Sequence, residues 1–218
     1  MNRPSLVIAV DGPAASGKGT LARRLAAHYG LSYLDTGSLY RATGLAVQLS
    51  GGRPNDETAA LNAAQVLRPD RYNDEDLRSP GAGEAASQVA AIPAVRSALL
   101  EYQRKFAAAP SGAVLDGRDI GTVVCPQADV KLFITAAPET RAQRRHLEHD
   151  GRGDELTYAD VLADIRRRDE RDSGRAVAPL KPAEDAILLD TTELGIEAAF
   201  QAALDIVESV LNERGKSA

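Results

Sequence analysis

The chain has 218 residues, 44% of them apolar and 26% charged, with a formal net charge of −5. This suffices for one domain with a hydrophobic core, whereas the negative charge, an aromatic content of 4% and the lack of tryptophan argue against a nucleic-acid-binding protein. The single cysteine excludes a disulfide framework. Because the sequence shows neither a signal peptide nor an apolar run of about 20 residues, we expect a cytoplasmic protein without a membrane segment. Nothing in the sequence demands an oligomer, and a monomer is expected.

A phosphate-binding loop is predicted near the N-terminus. Residues 6–10 are apolar and β-branched, as in a buried strand, and apolar residues at helical spacing begin at Leu21. Gly12 and Gly17 allow the backbone between them to turn inward, so that successive N–H groups point at one anion. Lys18 can reach the β- and γ-phosphates of a nucleotide such as ATP. The pattern G-x-x-x-x-G-K of this loop, called the P-loop below, is matched by Gly12, Pro13, Ala14, Ala15, Ser16, Gly17 and Lys18, with Gly19 and Thr20 after it.

The residue after Lys18 departs from the usual form of the P-loop, in which a serine or threonine faces magnesium. Gly19 stands at that position, and Thr20 follows it. Two alternatives remain open from the sequence. Either the Thr20 hydroxyl contributes to a magnesium site, or phosphates and water molecules hold the metal.

A second anion site is predicted where the next strand ends. Residues 31–35 form that strand, and a helix should begin at Thr36. The Thr36 hydroxyl and the Arg41 guanidinium would lie at the carboxyl end of the strand, where parallel α/β sheets bind ligands. An ordinary helix cap formed by Asp35 or Thr36 explains the same residues equally well.

Residues 54–83 are polar and rich in proline, aspartate and arginine. That composition predicts an inserted, partly irregular segment that is not part of the core. Alanine and valine recur from Glu84 onward, and Pro93 should open a helix over about residues 94–108, because proline is favoured in a first helical turn.

Two further strands are predicted at residues 113–116 and 129–135. The first ends in Asp116 and is followed by Arg118 and Asp119, which should meet the P-loop at one sheet edge if the strands are parallel. Asp116 either orients water bound to magnesium or is an ordinary turn residue at the end of a strand.

An arginine-rich helix with a glycine-rich end follows the fourth strand. The helix carries Arg141, Arg144 and Arg145, and the glycines within residues 149–154 predict the hinge that a mobile lid needs. Residues 141–175 hold nine arginines and nine acidic residues and are thus almost neutral in total, which suits recognition of a specific phosphate more than attraction of a nucleic acid.

A second arginine-rich stretch spans residues 164–175. On one continuous helix, Arg168, Asp172 and Arg175 would share a face. They form either a closing arm that brings arginines to phosphates, or a helix surface stabilised by ion pairs.

The chain is expected to end with a strand at residues 186–190 and a helix over about residues 195–213 that buries Ile196 and Phe200. Strands therefore alternate with helices from end to end. This alternation predicts an α/β fold with a parallel sheet and right-handed crossovers.

Four segments together resemble the bacterial cytidylate kinases, a family of nucleoside monophosphate kinases. They are residues 12–20, with the form G-K-G-T, and residues 35–41, 116–124 and 168–175. The resemblance implies a three-layer P-loop α/β fold with a five-stranded parallel sheet, built by residues 1–218 as a single domain. It also implies a monophosphate-binding insertion at about residues 54–93 and a mobile lid at about residues 146–160.

The activity that the resemblance implies is transfer of the γ-phosphoryl group of ATP to CMP or dCMP, with magnesium as cofactor. ATP would bind to residues 12–20, and Thr20 and Asp116 would hold magnesium directly or through water. The residues acting on the transferred group would be Lys18, Arg118, Arg144 and Arg175. The CMP site would consist of Ser87, Arg96 and Asp119 at the base, Arg168 and Asp172 at the ribose, Thr36, Arg41, Arg118 and Arg175 at the phosphate, and Tyr40.

Other functions remain as alternatives. One is another small-molecule P-loop kinase, such as a uridylate, adenylate or shikimate kinase. A nucleotide-binding switch protein belongs to a different class and would need an Asn-Lys-x-Asp sequence to recognise guanine. No Asn-Lys pair occurs in the chain.

Overall fold

The computed structural model of the protein describes residues 5–77, 79, 81–151 and 156–216. Residues 152–155, in the middle of the predicted lid, therefore lie outside the described residues. In the described part of the chain, no helix is long and apolar enough to cross a membrane.

Five parallel strands form one sheet in the order β2-β3-β1-β4-β5. The predicted five-stranded parallel sheet is thus confirmed. The N-terminal strand lies at its centre, so the loop that follows this strand emerges in the middle of the sheet edge. The strands are β1 Val7–Asp11, β2 Ser32–Asp35, β3 Ala113–Gly117, β4 Val130–Thr135 and β5 Ile187–Asp190.

Helices connect the strands and cover both faces of the sheet. The described helices are α1 Lys18–Tyr29, α2 Thr36–Leu49, α3 Glu57–Gln65, α4 Asp74–Leu77, α5 Ala82–Val89, α6 Pro93–Ala107, α7 Pro138–Asp150, α8 Tyr158–Ser173 and α9 Ile196–Lys216. A 3-10 turn at Pro69–Arg71 and a π-helical turn at Ile120–Val124 complete the described helical elements. Pro93 opens α6, as predicted from its preference for a first turn.

The core has one layer of side chains on each face of the sheet. On one face, α1 and α9 pack Leu25 and Val207 against Ile8 of the central strand. On the other face, Leu115 of β3 packs with Ile120 of the π-helical turn. Burial on both faces explains why the central strands read as continuous apolar runs.

The insertion is more regular than the sequence predicted. The expectation of an irregular segment outside the core at residues 54–83 is wrong for α3, because Ala60 and Ala64 are buried in a second apolar cluster with α2, α5 and α6. Asp56 caps α3 by accepting a hydrogen bond from the N–H of Ala59 at 2.9 Å. Small alanines among polar residues give only a weak apolar periodicity, so the sequence does not predict this helix.

Two expectations in the C-terminal third also need correction. The helix α8 ends at Ser173, so Arg175 lies beyond the helix and does not continue the helical face of Asp172, although its guanidinium still pairs with that carboxylate. Ile196 was predicted to be buried but is exposed, because it is the first residue of α9 and burial begins at Ala199.

Candidate active site

The carboxyl ends of the parallel strands bring the predicted site residues to one edge of the sheet. The P-loop follows β1, α2 begins directly after β2, and Arg118 and Asp119 follow β3. Since β1 pairs with β3, the P-loop and these two residues leave adjacent strands. This is the edge at which parallel α/β sheets bind ligands.

Two glycines give the P-loop a backbone conformation that residues with a β-carbon could not adopt without strain or a clash. Gly12 has a φ of +152°, and a β-carbon there would lie 2.0 Å from the carbonyl oxygen of Ile134. Gly17 precedes α1 with a φ of +87°, a conformation that residues with a β-carbon rarely adopt. The loop therefore ends at the N-terminus of α1, where the partial positive charge of the helix favours binding of a phosphate group.

Lys18 and Ser16 are buried within the P-loop. The Lys18 ammonium donates to the carbonyl oxygen of Pro13 at 3.2 Å. Burial, and then the positive charge of Arg118, lower the pKa of Lys18 to about 7. The Ser16 hydroxyl has no hydrogen-bond partner among the described residues. A desolvated ammonium and an unpaired hydroxyl both gain from a bound anion, so this loop suits a phosphate group.

Two residues that were not predicted from the sequence hold the outer side of the P-loop. Arg141 of α7 donates to the carbonyl oxygen of Ala14 at 3.2 Å and pairs with Asp169 of α8 at 2.5 Å. The Thr191 hydroxyl, just after β5, donates to the carbonyl oxygen of Ser16 at 3.1 Å. These contacts keep carbonyl oxygens turned outward, which leaves N–H groups to face a phosphate. The sequence showed Arg141 only as one of three arginines on its helix, and nothing distinguished Thr191.

Arg144 lies beside the P-loop, but its guanidinium already has partners. A β-carbon on Gly17 would be 4.0 Å from Arg144 Nη1. The guanidinium donates to the carbonyl oxygens of Thr191, at 2.6 Å, and Leu194, at 3.3 Å. Contact with the phosphates of ATP would require Arg144 to exchange these carbonyl oxygens for phosphate oxygens.

Asp116 is buried at the end of β3 and faces the P-loop. Its Oδ2 accepts a hydrogen bond from the Tyr33 hydroxyl at 2.9 Å, and a β-carbon on Gly19 would lie 3.0 Å from the same oxygen. Burial, and then the negative charge of Asp35, raise the pKa of Asp116 to about 6. Thr20, the other residue predicted to bind magnesium, is exposed on the first turn of α1.

Asp35 both caps α2 and binds Arg41. Its carboxylate accepts from the N–H of Ser38 at 3.2 Å and from Arg41 Nη2 at 2.5 Å. The helix-cap alternative is therefore confirmed for Asp35. The Thr36 hydroxyl donates to the carbonyl oxygen of Asp116 at 2.7 Å, and Arg41 Nε is buried without a partner among the described residues. The unpaired N–H of this guanidinium can donate a hydrogen bond to an anion bound next to the capped helix.

Three arginines, Arg118, Arg168 and Arg175, surround Asp172 and are called the arginine cluster below. Arg118 donates to Asp172 at 2.9 Å, and Arg175 also pairs with it. Burial, and then the charge of Arg118, lower the pKa of Arg168 to about 10. Arg168 Nε and Arg175 Nε and Nη1 are buried without partners among the described residues. Since one carboxylate cannot balance three guanidinium groups, the arginine cluster suits an anion.

A buried ion pair between Arg96 of α6 and Asp119 stands beside the arginine cluster, close enough for both charges to act on Arg175. Arg96 Nη1 also donates to the carbonyl oxygen of Ala90 at 3.3 Å, and its guanidinium lies 5.4 Å from the centre of the Tyr40 ring. The Ser87 hydroxyl is buried without a partner among the described residues. Charged donor, charged acceptor, aromatic ring and unpaired hydroxyl are the groups that a polar heterocyclic base would need.

Asp11, at the end of β1, positions the segment that carries Arg118 and Asp119. Its two carboxylate oxygens accept from the N–H groups of Ile120 and Gly121, each at 2.8 Å. Burial raises the pKa of Asp11 to about 7 in spite of these two hydrogen bonds. This role was not predicted, and the only signal in the sequence was an acidic residue directly before the P-loop.

Comparison with known proteins gives the family. A family model described as cytidylate kinase matches residues 8–209. The chain belongs to the cytidylate kinase family. A cytidylate kinase of Methylocella silvestris is 62% identical over 94% of this chain and 94% of its own length. Another, from Xanthobacter autotrophicus, is 63% identical over 94% of this chain and 98% of its own length. The membership predicted from four motifs is confirmed.

Two solved structures show the same fold. An uncharacterized protein from Eubacterium ventriosum has a TM-score of 0.53 and 15% identity, covering 94% of this chain and 99% of that one. A gluconokinase from Sinorhizobium meliloti has a TM-score of 0.50 and 13% identity, covering 100% of both chains. At such identities the likeness concerns the fold alone, and it confirms the three-layer α/β architecture predicted for the cytidylate kinase family.

Proposed function

We propose that this protein transfers the γ-phosphoryl group of ATP to CMP or dCMP, giving ADP and CDP or dCDP. The observation that carries the proposal is the buried pair of Arg96 and Asp119, which stands beside the arginine cluster at the sheet edge that also carries the P-loop. One part of this edge suits the phosphates of a nucleoside triphosphate, and the other suits the base and phosphate of a nucleoside monophosphate.

Cytosine complements the buried pair. It carries an amino donor at N4 beside acceptors at N3 and O2, so Asp119 would accept from the amino group and Arg96 would donate to the acceptors. Ser87 would add its unpaired hydroxyl. Uracil has an acceptor at position 4 that would face a carboxylate. Because an unpaired buried polar group costs about 1–3 kcal/mol, CMP should be preferred over UMP by roughly tenfold to a hundredfold.

The acceptor phosphate would bind to Arg41 and Arg118 and to the unpaired N–H groups of Arg175. The ribose would bind to Arg168 and Asp172. A phosphate monoester is already a competent nucleophile, so transfer needs in-line positioning and charge neutralisation and does not need a general base.

The donor phosphates would bind to the P-loop N–H groups and to Lys18, whose desolvated ammonium gains most from a nearby anion. Arg144 would join them after leaving its carbonyl partners. Each of these groups places positive charge where negative charge spreads during the transfer.

Magnesium would complete the donor site. Among the described residues, no group of three His, Cys, Asp or Glu side chains could hold a metal ion, and magnesium commonly binds through phosphates, waters and only one or two carboxylates. Asp116 faces the P-loop and is the carboxylate that fits, whereas the exposure of Thr20 favours phosphates and water as the other ligands. Bound magnesium would neutralise charge on the transferred group.

Closure of the insertion at residues 54–93 and of the lid at residues 146–160 is also proposed, because water must be kept from accepting the phosphoryl group. This proposal is supported by the apolar cluster that the insertion shares with α2 and α6, because the cluster contains no residue of the sheet. The single-domain division, the cytoplasmic location and the monomeric state stay predictions from the sequence.

A coupled assay of ADP release tests the proposal. ATP would be combined in turn with CMP, dCMP, UMP, AMP and shikimate, and we expect the highest kcat/KM for CMP and dCMP. A higher value for any other acceptor would overturn the assignment to cytidine nucleotides. Binding of ATP without acceptor-dependent release of ADP would point to a nucleotide-binding switch.

A further inference from the structure

The helix α5, which carries Ser87, is held between two neighbouring helices. On one side, a β-carbon on Gly44 of α2 would lie 2.8 Å from the β-carbon of Ala85. On the other side, a β-carbon on Gly83 would lie 3.2 Å from Arg168 Nη1 of α8. Since α5 has eight residues and no side-chain hydrogen bond at its N-cap, its position depends on these neighbours more than on its own helical stability.

Glu84 and Arg171 connect α5 to α8 by a two-point ion pair. Arg171 Nη2 donates to Glu84 Oε1 at 2.8 Å, and Nη1 donates to Oε2 at 3.1 Å. Gln88 Nε2 donates to the same Oε1 at 3.0 Å. Partial burial by itself would raise the pKa of Glu84, but the hydrogen bonds from Arg171 and Gln88 bring it below its ordinary value. The carboxylate is therefore charged at neutral pH, and the pair has a defined geometry.

The ion pair lies on the face of α5 that carries Ser87, because residues three and four positions apart share one helical face. On α8, Arg171 is likewise three positions after Arg168. A cleft of about 430 Å³ is lined by Ala91, which follows α5, and by residues of α8 and the segment after it that include Arg171 and Arg175. The ion pair thus joins α5 to α8 at Glu84, and Ser87 lies along the chain between Glu84 and Ala91, a residue that lines the cleft.

We propose that the ion pair of Glu84 and Arg171 is a positioning device for the acceptor nucleoside. It holds α5 against α8, so that the Ser87 hydroxyl keeps a fixed place relative to Arg168 and Asp172. This inference rests on the proposed function. Glu84 and Arg171 act through Ser87 and not on the nucleotide itself, so the pair affects recognition of the acceptor and leaves the donor site unchanged.

Steady-state kinetics of the full-length Glu84→Gln and Arg171→Gln variants tests the proposal, with CMP and UMP as acceptors. We expect the KM for CMP to rise about fivefold, equivalent to roughly 1 kcal/mol. The kcat and the KM for ATP should change less than about twofold, and the preference for CMP over UMP should fall, because the proposed function places Ser87 at the base. The double variant should be no worse than either single variant, since the pair acts as a unit.

Arg166→Gln is the matched control. Arg166 is on the same helix and pairs with Glu139 at 2.7 Å, and this pair joins α8 to α7 and not to the insertion. Its loss should leave the KM for CMP unchanged. Arg171→Lys keeps the charge but not the two-point geometry, so its KM for CMP should lie between those of the wild-type protein and Arg171→Gln. If the melting temperature shows that Arg171→Gln folds poorly, Arg171→Lys tests the proposal in its place.

Three results would overturn the proposal: equal rises in the KM for CMP and ATP, additive effects in the double variant, or the same rise in Arg166→Gln. A wild-type protein that does not phosphorylate CMP would overturn the proposed function instead. The same variants would then be measured with the acceptor that the wild-type protein uses. The proposal for the ion pair again requires that the KM for the acceptor rises and the KM for ATP does not.

Discussion

Gly19 faces the carboxylate of Asp116, and this contact explains the glycine at a P-loop position where serine or threonine is usual. A β-carbon on Gly19 would lie 3.0 Å from Asp116 Oδ2 and 3.7 Å from the Tyr33 hydroxyl. The Asp116 carboxylate cannot easily move away from a β-carbon at this position, because it is buried and its Oδ2 accepts a hydrogen bond from Tyr33. The departure from the usual motif is therefore a packing requirement of this site.

We expect Gly19→Ala to lower both kcat and the melting temperature, because overpacking a close contact costs about 1–3 kcal/mol. ADP-release kinetics and thermal denaturation measure the two effects. Gly195→Ala is the matched control, since nothing lies within 4 Å of a β-carbon at Gly195. If the two variants behave alike, the contact between Gly19 and Asp116 is not restrictive.

Binding of ATP should be accompanied by uptake of a proton at Lys18. Burial holds the pKa of Lys18 at about 7 in the free protein, and bound phosphates would raise it. At about pH 8 most Lys18 side chains are therefore neutral before binding and charged after it. The affinity for ATP should weaken as the pH rises above 7. Calorimetry in buffers with different ionisation enthalpies measures the number of protons taken up.

The Lys18→Met variant is the control for that measurement. It should lose the proton uptake at about pH 8 and reduce kcat by roughly 10²- to 10³-fold, as expected when a group that stabilises transition-state charge is removed. Binding of CMP should remain measurable, because Lys18 belongs to the donor side. Proton uptake that persists in Lys18→Met would assign the titration to another group.

Asp119→Asn should reduce the preference for CMP over UMP. The amide offers a donor where the carboxylate only accepted, so the loss in kcat/KM should be larger for CMP. The change also leaves Arg96 buried without its charged partner, which typically costs about 3–5 kcal/mol, and thermal denaturation must accompany the kinetics. Equal losses with both acceptors would mean that Asp119 supports Arg96 and does not read the base.

Arg175→Ala should weaken CMP binding more than it weakens the fold. Two of the three guanidinium nitrogens of Arg175 have no partner among the described residues, and Asp172 would still pair with Arg118. We expect the KM for CMP to rise roughly tenfold or more, the effect of losing hydrogen bonds to a charged group. A change in melting temperature alone, with unchanged kinetics, would favour a purely structural ion pair.

The features that could be predicted from sequence are those encoded by neighbouring residues. The P-loop was recognisable because strand, glycines and Lys18 are contiguous, and the sheet because apolar strands alternate with helices. In contrast, the hydrogen bonds of Thr191 to Ser16 and of Asp11 to Ile120 join residues 175 and 109 positions apart. No local pattern marks such contacts, so they were found only in the folded structure.

Helix boundaries and burial were less predictable, for physical reasons that differ between elements. The sequence does not predict the helix α3, because Ala60 and Ala64 bury little apolar surface and are surrounded by polar residues. Arg175 was assigned to α8 because its spacing from Asp172 fits a helix, but the helix ends at Ser173. Ion pairing was one of the two alternatives left open for this stretch, and Arg175 pairs with Asp172 from beyond the end of the helix.

The central position of β1 has a consequence for how this protein folds. Its neighbours β3 and β4 come much later in the chain, and Asp11 hydrogen-bonds to a residue 109 positions away. Contacts between distant residues form slowly, because the entropy lost on closing a long loop must be spent before the contact contributes any stabilisation. The nucleotide site should thus be among the last parts to form during refolding, and recovery of binding to a fluorescent ATP analogue should lag behind recovery of helical circular dichroism. Simultaneous recovery of both signals would mean that helices and sheet form in one step.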